Sequence, residues 1–568
     1  MPEETLLSDY ETPADRETIE ADLSARAVRL TARLIPTVLL CALLFLLSTP
    51  LFDGLRTGNS ILFSVIYLLL LAGVAAVNLP VMRGMIALVT LRPDGDSLAA
   101  LAVTAGLIQG IVAAAAGGEA VGLMGALGGL ALIFNLIGKL MTVRTIRANF
   151  RVVANNRPKS SAFLLDREEV TSLLASGAVL GEALIFSARR INRPTDFLKT
   201  AYRREPYERL VPKVTLLGLI LAIGGGAAGW ILQGQAIGLT VFAAVLCACC
   251  PPAAALLSAL PMRLASKRLT PLGAEVADYR SAENFSYANA ATLHVADLFP
   301  QGTVKLFNMH ILSPHPIDQS ILEAAAILNK IGCPLAQIFD DMITPGIPLP
   351  EVDTIVYENQ MGVSGWLGEK RIFIGNRTLM ETHSIPLPSL DVDKRILRSG
   401  YFPVYLASTE GPAALFIVGY EADEEISYQL RRLTATGVTL LVDTCDQNIG
   451  EEMICDYFEL YPDSVRVLSP QNSKLYRKET APEEAGSAAA LVCGDAAGSA
   501  ALLTACIRLK EGYTASLALH IIGMLLTLAL IFGAVFTGNA SLVTALLLGG
   551  AQLLWSLVVG LVSLIRRP

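Results

Sequence analysis

Three cysteines, Cys247, Cys249 and Cys250, crowd one part of an apolar run and are followed at once by Pro251-Pro252. Two successive prolines break a helix and free backbone carbonyls. Thiolates gathered at such a break suit a soft cation such as Cu(I) or Zn²⁺. Cysteine is also an ordinary apolar residue inside membranes, so plain packing competes with that reading. A second candidate set is acidic. Asp297, Asp446 and Asp495 each follow a short apolar run: Thr292–Ala296, Val438–Val442 and Ala489–Cys493. In open parallel sheets, ligands sit just beyond the carboxyl ends of the strands. Carboxylates there, with Lys474, could hold Mg²⁺ or a phosphate; an Asp at a strand end also serves simply to cap a turn.

The elements that carry these residues follow from composition. The chain is 53% hydrophobic and 17% charged, where a soluble protein has about a quarter of its residues charged. A membrane-crossing helix needs about 20 apolar residues. Eight stretches supply them: about 35–52, 60–82, 97–116, 120–142, 212–233, 236–262, 514–536 and 541–565. They fall as four, two and two, parted by one short and one long polar insert. Arg144, Arg147, Arg151, Lys159, Arg189, Arg190 and Arg193 lie in the short insert, and Arg566-Arg567 close the chain. The excess of basic residues predicts a multi-pass plasma-membrane protein with both termini and both inserts cytoplasmic. The acidic, polar start from Met1 to about Ala25 is not a signal peptide. A net charge of -7 argues against nucleic acid as a partner; the bilayer, and a metal ion, are the partners implied. Nine cysteines without a paired framework suit reduced cytosolic thiols.

Within the long insert, strand-like runs (Thr292–Ala296, Arg371–Gly375, Ala414–Gly419, Val438–Val442, Ala489–Cys493) alternate with helical patterns at Gln319–Lys330, Glu424–Thr436 and Gly450–Leu460. Residues 304–400 interrupt the alternation as an inserted subdomain, and 479–488 reads as a surface loop. Within the spans no Asp or Glu is central; His520, Gln552 and Ser258 are the polar candidates.

This order of parts resembles the heavy-metal class of P-type ATPases over about residues 35–567. The text that carries the resemblance is Leu91–Leu101 at the entry to the third span and Cys250-Pro251-Pro252 in the sixth. It continues with Gly362-Val363-Ser364-Gly365, Ile374-Gly375-Asn376-Arg377, Thr444-Cys445-Asp446 and Gly494-Asp495. The resemblance implies an eight-span α-helical membrane domain and a cytoplasmic α/β haloacid-dehalogenase-like domain. The latter holds an inserted nucleotide-binding-like subdomain and is accompanied by a reduced actuator-like insert. The expected boundaries are 1–34 N-terminal segment, 35–142 spans one to four, 143–211 actuator-like insert and 212–262 spans five and six. The phosphorylation-like domain takes 263–303 and 401–513, the nucleotide-binding-like subdomain 304–400, and the last spans 514–568.

By the same resemblance, Asp297 takes the place of the nucleophile that forms an aspartyl phosphate, and Thr303 that of the displaced hydroxyl group. Asp446 and Lys474 would face the phosphate, and Asp297 with Asp495 would hold Mg²⁺. Cys333-Pro334, Gly362 and Gly365 mark the ATP site, and Cys247, Cys249 and Cys250 the soft-metal substrate site. The departures are as informative. Leu298 and Phe299 replace a Lys and a Thr, Ser499 replaces an Asp, and Cys445 and Gln360 replace glycines. Cys333 replaces the His of a His-Pro pair. The nearest text to the actuator's Thr-Gly-Glu is Leu180-Gly181-Glu182. Losing one group that stabilises transition-state charge costs about 10²–10³ in rate. The expectation is therefore a P-type ATPase-like membrane protein with impaired or absent ATP-driven transport and a regulatory or scaffold role. A divergent, active heavy-metal transporter and a phosphatase-like membrane enzyme are the alternatives.

Overall fold

The computed structural model describes residues 9–115, 122–179, 181–203, 206–314, 316–358 and 361–566. Leu180, Gln360 and Arg567, named above, lie outside the described residues. Eight helices among those described are long and apolar enough to cross a membrane: Asp15–Leu47, Ser60–Val77, Gly95–Ala115, Gly125–Val153, Val211–Gln233, Gln235–Leu272, Ala496–Phe536 and Ala545–Ile565. Their order reproduces the four, two and two read from hydropathy. Several are longer than the sequence reading. The first has 33 residues, about 50 Å at 1.5 Å per residue, against a hydrocarbon core of about 30 Å. Its polar third carries Ile19 and Leu23 on one face, and both are buried with Tyr10, Phe150 and Phe197. The Tyr10 ring meets Phe150 edge-on at 5.6 Å. From Asp15 onward the acidic N-terminal segment is thus a docked helix.

Small residues bring the spans together. A methyl group on Gly106 of the third span would lie 2.6 Å from the Gly125 Cα of the fourth, so the two backbones touch. The sixth span is helical over Gln235–Ala248, breaks at Cys250-Pro251, makes a 3₁₀ turn over Pro252–Leu256 and resumes at Ala259–Leu269. Pro251 is extended, as two prolines in succession require.

Among the described residues the polar region contains 14 strands: β1 (Lys159–Leu165), β2 (Ile185–Thr195), β3 (Ala274–Val276), β4 (Ala290–His294), β5 (Val304–Ile311), β6 (Thr354–Tyr357), β7 (Gly362–Leu367), β8 (Lys370–Gly375), β9 (Phe402–Ser408), β10 (Gly411–Tyr420), β11 (Thr439–Asp443), β12 (Val465–Val467), β13 (Glu483–Ser487) and β14 (Ala490–Val492). They form two sheets. One has the order β12-β11-β4-β2-β1-β14-β3, with β13 also paired to β2. The other is antiparallel, in the order β5-β10-β9-β8-β7-β6. β4, β11 and β12 are parallel neighbours inside the sheet, which is why their runs read as continuously apolar; a helix links β11 to β12, and the inserted subdomain lies between β4 and β11.

Three sequence expectations change. The segment 143–211 is not a separate insert: its hairpin β1–β2 lies inside the first sheet, between β4 and β14. Residues 479–488 are not a surface loop, because Glu483–Ser487 pairs in parallel with β2, Glu483 opposite Ile191 and Ser487 opposite Thr195. Arg189 clasps this strand through the Glu483 carboxylate and the Glu479 carbonyl. The inserted subdomain also runs past residue 400. β9 and β10 belong to the antiparallel sheet, and the chain re-enters the α/β domain where the Glu421 N–H donates to the Thr303 carbonyl at 2.8 Å.

Candidate functional site

A cleft of about 440 Å³ opens beyond the carboxyl end of β11, where the two sheets approach. Thr444, Cys445, Asp446 and Lys474 border it from the α/β side, with Arg477; Tyr357 and Gly362 border it from the inserted subdomain. The cleft therefore gathers three sequence candidates, Asp446, Lys474 and Gly362. It does not gather Asp297, Thr303, Asp495, Pro334 or Gly365.

The cleft is organised by residues that sequence reasoning passed over. Asp443, the last residue of β11, is completely buried and takes two hydrogen bonds from Arg477, Nε to Oδ2 at 2.8 Å and Nη2 to Oδ1 at 3.3 Å. Arg477 also donates to the Tyr357 hydroxyl and lies over that ring, 4.5 Å from its centroid. Burial opposes the charge on Arg477, but the hydrogen bonds and charge of Asp443 outweigh it and hold the guanidinium protonated. His294 also approaches Asp443, with Nε2 3.7 Å from Oδ2. Burial lowers the His294 pKa, and its Nδ1 accepts the Ala296 N–H at 3.1 Å, so the neutral ring carries its proton on Nε2. Two signals were available in the sequence. His294 and Asp443 close two apolar runs, and Arg477 stands one helical turn beyond Lys474.

Asp297 is not the strand-end residue. β4 stops at His294, and Val295–Leu298 coils into a helical turn. The cause is apolar: Leu298 is 0% and Phe299 1% exposed, and Phe299 packs on Tyr420 and Phe458 at 5.5 and 5.4 Å. Burial, then the charge of Asp495, pushes the Asp297 carboxyl up to about 6. Asp495 caps the helix Ala496–Phe536 by accepting the Ala497 N–H at 3.2 Å. Thr303 donates its hydroxyl to the Pro300 carbonyl at 2.7 Å and so closes its own turn. Gln337 braces the same loop, donating to the Phe299 carbonyl and accepting from the Gly302 N–H.

Asp446 is tied up structurally as well. Its carboxylate accepts from the Tyr420 hydroxyl at 2.6 Å and the Asn448 N–H at 3.0 Å, while burial raises it to about 6. Lys474 is exposed at the cleft's rim. Cys333 and Pro334 are buried and do not border the cleft. Gly365 serves packing: a methyl there would stand 2.6 Å from Ile327 Cδ1. Among the described residues, no three His, Cys, Asp or Glu side chains converge to hold a metal ion.

The membrane thiols diverge. Cys247 Sγ faces the carbonyl of Met124, just ahead of the fourth span, at 3.9 Å, and Gln552 of the last span donates to the Cys247 carbonyl at 3.1 Å. Cys249 instead packs on Gly218 of the fifth span. Cys247 and Cys249 thus face different neighbours. His520 lies 3.3 Å from the Tyr207 hydroxyl, its ring edge-on to the tyrosine.

No family model and no curated protein matches the sequence. Solved structures do. The chain is similar to a zinc-transporting PIB-type ATPase in its E2.Pi state, at 13% identity and a TM-score of 0.46, over 95% of this chain and 100% of that one. A zinc-transporting PIB-type ATPase in the E2P state matches at 13% identity and a TM-score of 0.38, over 92% and 99%. The catalytic domain of the CPx-ATPase CopB-B matches 39% of this chain and 78% of its own length, at 15% identity and a TM-score of 0.24.

Proposed function

We propose that this chain is a P-type ATPase-like membrane protein of the heavy-metal type that does not run a transport cycle and acts as a regulatory or scaffold protein. It would sit in the plasma membrane with both termini and its polar domains in the cytoplasm. The observation that supports this most is the β1–β2 hairpin. A pump must move its polar domains against each other to alternate access through the membrane. Here the polar segment between the fourth and fifth spans is hydrogen-bonded into the middle of the sheet formed by the segment between the sixth and seventh. Separating them would break a β-ladder. Phe299, buried beside Asp297, adds to the case, since it leaves an apolar side chain where transferring phosphate oxygens would need partners.

The test is phosphorylation of the purified protein with labelled ATP, with and without Zn²⁺ or Cu(I). No acid-stable, hydroxylamine-sensitive label is expected on the native protein. Label that appears and is lost in Asp297→Ala would overturn the proposal in favour of an active transporter.

A further inference from the structure

Most cations along the fourth span find carboxylates. Lys139 Nζ takes Asp96 at 2.6 Å, and Arg147 and Arg151 share Glu20 of the first helix at 3.6 and 3.1 Å. Arg144, between them along the helix, is exposed and has no ion pair among the described residues. A second arginine is brought to it instead. Arg263, in the helix Ala259–Leu269 of the sixth span, donates from Nη1 to the Arg144 carbonyl at 2.9 Å. Among the described residues Arg263 has no ion pair either, and nor has Lys267, exposed one turn further along the same helix.

Contacts on both sides fix the height of this pair. Deeper in the apolar run, a methyl group on Gly138 would lie 2.5 Å from the Ala255 carbonyl. On the other side, Asn149 accepts from the Ser266 hydroxyl at 2.6 Å and donates to the Val276 carbonyl of β3 at 2.7 Å. The fourth and sixth spans therefore run side by side in one direction. At 1.5 Å per residue, Arg144 stands about 9 Å beyond Gly138 and about 7.5 Å short of Asn149. That is where the apolar run gives way to the polar domain, the depth of lipid headgroups.

We propose that Arg144 and Arg263, with Lys267 at the rim, bind the headgroup of one anionic phospholipid at the junction of the fourth and sixth spans. Like charges gathered at a membrane boundary call for an anion, and the bilayer offers phosphodiesters at that depth. A guanidinium presents forked donors that match phosphate oxygens, and Arg263 keeps further N–H groups after the one given to the Arg144 carbonyl. The helix Ala259–Leu269 leads through the turn Thr270–Leu272 directly into β3, the edge strand of the first sheet. An occupied site therefore ties a lipid to that edge, well apart from the cleft.

The experiment uses the full-length protein in detergent, given equal amounts of phosphatidylglycerol and phosphatidylcholine with identical acyl chains. Native mass spectrometry counts the lipids retained. One phosphatidylglycerol is expected to persist at collision energies that strip phosphatidylcholine. Arg144→Gln and Arg263→Gln should each lower the retained ratio of the two lipids about fivefold. Lys213→Gln removes an exposed cation at the start of the fifth span and should leave the ratio unchanged. Thermal melting shows that each variant is folded, and Arg144→Gln, made at an exposed side chain, carries the test if Arg263→Gln melts early. Equal retention of the two lipids by the native protein overturns the proposal. So does a fall in Lys213→Gln as large as in the arginine variants. Loss of the phosphatidylglycerol to an excess of inorganic phosphate would overturn it in favour of a free anion.

Discussion

The hydroxyls of Ser187 in β2 and Thr292 in β4 share a hydrogen bond of 2.7 Å in the centre of the first sheet. Both side chains are buried, and they belong to polar segments separated in sequence by two membrane spans. If this contact helps hold the segments together, single and paired substitutions should separate. Thr292→Val leaves a buried Ser187 hydroxyl short of a partner and should cost about 1–3 kcal/mol. Adding Ser187→Ala should recover part of the loss. Thermal unfolding of the four proteins in one detergent gives the coupling, and strictly additive losses would show that the hydroxyls do not act as a pair.

The Asp443–Arg477 pair predicts an asymmetry between two neighbouring cations. Arg477→Met strands a completely buried carboxylate, and breaking a buried pair on one side costs about 3–5 kcal/mol. Lys474→Ala, one turn away and exposed, should change stability by less than about 0.5 kcal/mol. Denaturant unfolding of both variants checks this, and similar losses would contradict the different roles assigned to them.

Phe299 should behave as a core residue. Phe299→Ala removes a ring packed between Tyr420 and Phe458 and should cost about 3–5 kcal/mol. A melting temperature within a degree of the native protein would show that the loop around Asp297 is not held by this ring.

Asp297 predicts a pH effect of definite sign. Its folded pKa, about 6, stands above the ordinary 3.8. A carboxyl with a raised folded pKa contributes stability that is fully present below the unfolded value and lost as pH rises through the folded one. Asp297→Asn removes that loss. The variant should therefore melt above the native protein at pH 7.5, and the gap should close as pH falls from about 6 toward 4. A gap that widens on acidification would mean that the carboxylate is stabilised by a cation.

Much of this architecture was legible in the sequence because a bilayer imposes one simple demand, some twenty apolar residues in succession. The spans answer to it to within about five residues at their apolar ends, apart from polar extensions such as Asp15–Ala25, whose buried Ile19 and Leu23 are too few to mark a run. Strand positions were also legible; strand partners were not. Nothing local in Lys159–Thr195 says that it pairs with residues about three hundred positions later, since β-pairing is settled by tertiary packing. Glu483–Ser487 looked like a loop because it is exposed and pairs along one side only, so its polar composition carries no alternation. Phe402–Tyr420 reads as strands in either sheet. Of the residues named from the sequence, Asp446, Lys474 and Gly362 border the cleft, whereas the strand before Asp297 reads one turn too long because Val295-Ala296 prolongs the apolar run past His294.

Asp495 caps a helix of 41 residues that runs without interruption from the end of β14 into the seventh span. At 1.5 Å per residue this is a rod of about 60 Å, of which only about half lies in hydrocarbon. Helices answer a thinner bilayer by tilting, and a tilt of about 5° swings the far end of such a rod by roughly 5 Å. The capping carboxylate is then the tip of a lever, and any change of tilt in the membrane-spanning half is carried to the end of β14.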